Sequence, residues 1–124
     1  MRAFGELEDQ IMRFLWQRNG RPATVREVHA ALTRKTPLAY TTVMTVLDRL
    51  WRKGLVERKL QGRAYEYAPV TSQAEHMATL MHQLLVRSKD RRAALAHFVE
   101  RMREKDEAEL IQLAQELARR RKKR

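Results

Sequence analysis

The chain contains no cysteine, so neither disulfides nor a thiolate metal site can hold it together. That composition suits a reducing compartment, and a cytoplasmic location is expected. No apolar run approaches the roughly 18 residues that a membrane span requires, and the N-terminus lacks the apolar stretch of a secretion signal. Membrane insertion is therefore not expected.

The machinery of catalysis is equally sparse. Four histidines are present, His29, His76, His82 and His97, and no two are three or four residues apart, the spacing that sets two ligands on one helical face. No metal is expected. There is no glycine-rich phosphate loop, nucleophile elbow or thiol nucleophile, and each Asp or Glu reads as a cap or a surface charge. No catalytic residue and no cofactor is assigned, and an enzyme is the least favoured reading.

What the chain has in excess is positive charge. Lys and Arg number 26 against 15 Asp and Glu, a net +11 over 124 residues, which favours a polyanionic partner over an acidic or neutral one. The excess is uneven: residues 1–70 carry +6, residues 71–118 carry −1, and residues 119–124 add +6. Solvated basic faces of a soluble protein would give the same total.

Leu7, Ile11, Phe14 and Leu15 share one face of a helix predicted over residues 6–17, which Asn19-Gly20 ends. Thr24 with Glu27 three residues on forms a capping box that opens a second helix over 25–32. Val43, Val46, Leu47 and Leu50 recur at helical spacing in residues 39–53, and Gly54 stands where a helix-terminating glycine belongs. Alternating residues 55–60, a Gln61-Gly62 turn and residues 64–68 then predict a β-hairpin. Three helices and a hairpin within 70 residues is the element order of a winged helix-turn-helix module, which binds DNA.

Beyond Pro69, Ser72 and Glu75 form a second capping box, and Met77, Leu80, Met81, Leu84 and Leu85 mark an apolar stripe. Met77 and Met81 read as core fillers rather than metal ligands. Leu95, Phe98, Val99 and Met102 mark another stripe. Leu110, Leu113, Ala114 and Leu117 mark a third, in a helix that Asp106 and Glu109 are expected to cap. About 50 residues is marginal for an independent core, so a second copy of the same segment is the simplest cover for these stripes. The expected fold is mostly α with a small hairpin wing: a DNA-binding domain over 1–70, a three-helix dimerisation domain over 71–118, and an unstructured basic tail over 119–124. The tail offers nonspecific phosphate contacts or a favourable charge at a helix C-terminus.

With its apolar residues facing the core, the third helix presents Thr41, Thr42, Thr45, Arg49 and Arg52 on the opposite side. Threonine meets donors, acceptors or the thymine methyl on base edges, and arginine reaches phosphate or guanine. The three threonines fall in the first two turns, the part that enters the major groove in such modules. An ordinary solvated face has the same composition. Met44 is open to base contact or to packing, and for Tyr40 packing is the better reading. Arg58 and Lys59 before the turn and Arg63 after it suit a wing that follows the DNA backbone, or an edge strand protected from aggregation by charge. Arg26, at the start of the second helix, is placed to pair with a phosphate.

Four stretches together resemble the BlaI/MecI-type penicillinase repressor family: Gly5-Glu-Leu-Glu with Ile11-Met12 and Leu15-Trp16; Thr24-Val-Arg-Glu-Val-His29; Leu38-Ala-Tyr-Thr-Thr-Val-Met-Thr-Val-Leu-Asp-Arg-Leu50 continuing to Lys53-Gly54-Leu55-Val56; and Arg63-Ala-Tyr-Glu-Tyr-Ala-Pro69. The resemblance spans nearly the whole chain. It implies an N-terminal winged helix, a C-terminal helical dimerisation domain, and repression, as in β-lactam resistance, from operators with a TACA/TGTA-type dyad. It also implies that Thr41, Thr42, Met44 and Thr45 approach the bases. The cysteine-rich C-terminus of a copper-responsive branch is missing here, and the basic hexapeptide is no hallmark of the family.

The segment Ala94-Leu-Ala-His-Phe-Val-Glu100 resembles the place where such repressors are cut by a sensor-triggered protease, and the matching bond joins His97 to Phe98. Relatives commonly carry asparagine where this chain has His97. Operator DNA, a second copy and such a protease are thus the expected partners, with Met77, Leu80, Met81, Leu84, Leu95, Phe98, Leu110, Leu113 and Leu117 in the dimer interface. A nonspecific nucleic-acid binder and a protein-interaction module are the alternatives.

Overall fold

The computed structural model describes residues 5–123. In chain order its elements are α1 (Glu6–Gln17), β1 (Ala23–Thr24), α2 (Val25–Leu32), α3 (Tyr40–Arg52), β2 (Val56–Gln61), β3 (Ala64–Pro69), α4 (Gln73–Arg87), α5 (Arg91–Glu100) and α6 (Glu104–Lys122). The result is mostly helical with a small antiparallel sheet, as the patterning leads one to expect.

Local chemistry sets most boundaries. Asn19 and Gly20, both with positive φ, turn the chain after α1. The Thr24 hydroxyl accepts from the Glu27 N–H while the Glu27 carboxylate accepts from the Thr24 N–H, closing the capping box on α2. At the end of α3, Gly54 with φ +77° lets its N–H reach the Trp51 carbonyl and the Leu55 N–H reach the Leu50 carbonyl, a complete Schellman ending. Gln61 pairs with Ala64, so Gly62 and Arg63 form the loop of the wing. Among the described residues, Gly62 alone of that loop has positive φ, the pattern of a type II′ turn.

One strand escapes the sequence pattern. β1 pairs with β3, Ala23 opposite Tyr67 and Thr24 opposite Glu66, giving the order β1-β3-β2. Two residues are too few to show alternation, and the pairing is made with a segment some 40 positions away.

The core lies where α1, α2 and α3 meet the sheet. Ile11, Met12 and Leu15 join Val28, Val43, Leu47, Leu50, Val56 and Tyr67, all essentially sealed from solvent. Burying each large aliphatic side chain contributes about 1.5 to 3 kcal/mol, so this cluster suffices to hold the module.

The chain divides into two compact units between Leu80 and Met81, inside α4, rather than at residue 70. The physical reason is Trp16. Its indole N–H donates to the Thr71 carbonyl at 3.0 Å, and its ring lies 5.5 Å from that of His76, so the first turns of α4 belong with α1. His76 is buried there, and burial pushes its imidazole pKa below the ordinary value. The Ser72–Glu75 cap opens α4, with the Glu75 N–H donating to the Ser72 hydroxyl at 3.1 Å.

The second unit departs from expectation in two further places. α6 begins at Glu104, and Asp106 lies within its acidic first turn instead of capping it. The run 119–124, expected to be unstructured, continues α6 through Lys122, because Arg and Lys are good helix formers and their charge complements the C-terminal dipole. Neither α5 nor α6 contains a single buried residue.

Candidate nucleic-acid interface

The exposed face of α3 is built by default: Val43, Val46, Leu47 and Leu50 take the core side, leaving Thr41, Thr42, Met44 and Thr45 outside. His29 fixes the approach to this helix, its Nε2 lying 2.7 Å from the Leu38 carbonyl. Tyr40 packs edge-on to His29 at 5.6 Å yet stays 45 % exposed, so it is packed and accessible at once.

Two clefts flank the face. One, of about 730 Å³, runs between α3 and the hairpin and is lined by Arg26, Tyr40, Met44, Thr45, Asp48, Arg58, Arg63 and Tyr65, among others. The second, of about 480 Å³, lies between α3 and the start of α1, where Thr41, Thr42, Thr45 and Arg49 meet residues 5–8. Thr45 borders both. Its hydroxyl donates to the Thr41 carbonyl at 2.8 Å, so what it offers a ligand is an acceptor oxygen and a methyl group.

The basic residues named from the sequence fall into two groups. Arg49 lies 3.6 Å from Glu8 and Arg52 lies 2.9 Å from Asp48, so both guanidinium groups already have a carboxylate neighbour. Glu8, nearly buried on α1, also accepts from Lys53 at 3.1 Å, tying α1 to the last turn of α3. Arg26, Lys59 and Arg63, by contrast, are exposed and form no ion pair among the described residues. Arg26 stands in the first turn of α2 and Arg63 at the tip of the wing, and both line the larger cleft with Thr45.

Arg58 does not join that second group. Its side chain is only 18 % exposed, its Nη1 donates to Asp48 Oδ1 at 3.3 Å, and its guanidinium lies 3.6 Å from the Trp51 ring centroid and 4.3 Å from that of Tyr65. Burial opposes its charge, but Tyr67, Tyr65 and Asp48 together outweigh that and raise its pKa. This cluster joins three elements, α3, β2 and β3, and its one trace in the sequence is an aspartate on an otherwise basic helix face.

A family model described as Penicillinase repressor matches residues 4–116. The chain belongs to the penicillinase repressor family. It is 49 % identical over 113 residues to the Transcriptional regulator BlaI of Mycobacterium tuberculosis (strain ATCC 25618 / H37Rv), an alignment covering 89 % of this chain and 80 % of that protein. The protein is thus a transcriptional repressor with a DNA-binding fold rather than an enzyme. Its fold resembles the solution structure of the DNA-binding domain of the repressor BlaI, with a TM-score of 0.52 at 23 % identity, covering 59 % of this chain and 87 % of that one. A MarR family protein from Bacillus stearothermophilus shares the fold over 98 % of this chain and 77 % of its own, with a TM-score of 0.50 at 16 % identity. Among the described residues no helix of this penicillinase repressor family member is long and apolar enough to cross a membrane, and no acidic or histidine cluster could hold a metal.

The residues assigned to dimerisation are conspicuously uncovered. Met81, Leu84, Leu95, Phe98, Leu110, Leu113 and Leu117 are all 42 to 57 % exposed, Met77 is 40 % exposed, and Leu80 is half-buried. His97 and Phe98 lie on α5, with the His97 ring near Glu100 at 3.8 Å.

Proposed function

We propose that this protein represses transcription by binding, as a homodimer, an operator with a TACA/TGTA-type dyad. The observation that carries the reading is the exposed threonine face of α3, with Thr41, Thr42, Met44 and Thr45 at the bases and the unpaired cations Arg26, Lys59 and Arg63 on the phosphates to either side. Arg49 and Arg52 act at the edge of that contact, each shared with a carboxylate of its own chain.

The second copy covers the apolar stripes of α4, α5 and α6. Each of these residues is about half exposed, so burying it contributes roughly 1 kcal/mol, and a dozen from two chains support a stable dimer. Induction then follows from cutting the His97–Phe98 bond by a sensor-triggered protease. The cut detaches Leu110, Leu113 and Leu117 from the DNA-binding unit, and α5, with no buried residue, is easily unwound into the extended form a protease needs. Cytoplasmic action and regulation of β-lactam resistance genes complete the reading.

The test is competition between dyad-containing and random duplexes of equal length. A specific repressor favours the dyad by about 10³-fold or more at physiological salt. A ratio near one would leave a nonspecific basic protein as the better description.

A further inference from the structure

Arg58 of β2 is the wing arginine whose guanidinium is held between aromatic rings and a carboxylate. Trp51 of α3 lies against it at 3.6 Å and Tyr65 of β3 at 4.3 Å, while its edge is held by Asp48 of α3 at 3.3 Å. Asp48 is held in turn by Arg52 at 2.9 Å. Among the described residues, the bond to Asp48 is the single side-chain hydrogen bond between α3 and the hairpin.

We infer that Arg58 is a positioning residue, which locks the wing to the recognition helix at a preset angle and does not itself touch DNA. A planar guanidinium can lie flat on aromatic rings while its edge meets a carboxylate, whereas a lysine ammonium cannot do both. A phosphate approaching the Nη1 edge of Arg58 would compete with Asp48, whose own charge would repel it. The lock instead carries Lys59 and Arg63, farther along the same hairpin, to a fixed place relative to Thr45. When helix and wing must engage one duplex together, fixing their angle beforehand removes an ordering cost from binding. The aspartate on α3 thereby acquires a purpose: it anchors the wing from the recognition helix itself.

The inference rests on the DNA-binding reading, but its first test needs no DNA. Amide exchange across residues 56–61 and 64–69 of the free full-length protein is expected to quicken about fivefold or more in Arg58→Gln, in Arg58→Lys and in Asp48→Asn, and to stay unchanged in Arg63→Ala. Asp48→Asn keeps shape and size, so it decides the matter if Arg58→Gln fails to fold. The second test is a double-mutant cycle on dyad DNA. Arg58→Gln is expected to lower affinity roughly tenfold, and the loss caused by Arg63→Ala is expected to shrink in that background because the wing is already free. Unchanged wing exchange with additive losses would overturn the inference and make Arg58 a direct phosphate contact. Quickened exchange without any preference for the dyad would uphold the lock while removing the operator reading.

Discussion

Two halves of one chain solve the burial problem in opposite ways. Every buried apolar residue among those described lies between Ile11 and Tyr67, whereas α5 and α6 bury nothing and leave Leu95, Phe98, Leu110, Leu113 and Leu117 nearly half exposed. The first unit is complete as a single chain. The second has helix-forming residues and apolar stripes but no internal surface to set them against, which is how half of an interface looks when described alone. Charge does not follow that division: residues 1–80 carry +5, residues 81–118 carry no net charge and residues 119–124 add +6, so the apolar stripes of α5 and α6 lie in a stretch without net charge.

The comparison is broken most severely in the first core. Leu47, fully buried where α3 meets α1, is expected to cost about 3 to 5 kcal/mol on truncation in Leu47→Ala. That loss should be independent of protein concentration, whereas Leu113→Ala should lower the melting temperature only where the protein self-associates. Thermal melts across a hundredfold concentration range separate the two cases.

Next in size is removal of the second unit's far end. A chain ending at His97 is expected to be monomeric, to keep its winged-helix circular dichroism, and to lose about 10²-fold or more in affinity for the full dyad, since a monomer reads one half-site. Thr45→Ala is smaller, about 1 to 3 kcal/mol on the dyad and nothing on random DNA. Arg63→Ala is smaller still: it weakens binding to every sequence and flattens the slope of log affinity against log salt by about one unit.

The weakest effect is that of pH. His76 has a pKa lowered by burial, so between that value and 6.5 the unfolded chain takes up a proton that the folded chain resists. Stability of the first unit should therefore be fully present above pH 6.5 and fall as pH drops below it. Urea titrations at pH 7.5 and 5.5 should show this decline, and His76→Leu should reduce it.

How much of this could be read in the sequence depended on distance along the chain. The Thr24–Glu27 box, the Gly54 stop and the hairpin all rest on residues near one another in sequence, three to five positions apart in the first two and at most thirteen in the hairpin, and each element was legible from them. What the pattern missed was long-range or competitive. β1 exists because Ala23 reaches Tyr67, and the unit boundary moves to Leu80 because Trp16 reaches Thr71. Arg58 reads as a phosphate contact until Trp51, Asp48 and Tyr65 are brought around it. The basic run at the end, taken by composition for a free tail, gains helical order from the dipole of the helix that precedes it. Helical spacing put Thr41, Thr42 and Thr45 on the exposed side of α3, where they lie, yet could not reveal that Arg49 and Arg52 would be shared with Glu8 and Asp48.

In the proposed repressor, one self-sufficient DNA reader is paired with one interface half that a second copy completes. Binding of the full-length protein to three duplexes tests it most directly: the dyad, a single half-site, and the dyad with about half a helical turn, roughly 5 base pairs, inserted between its halves. Two chains are expected to bind per dyad, with a loss of at least about tenfold on each of the other duplexes. Equal affinity for all three, with one chain bound to each, would contradict it.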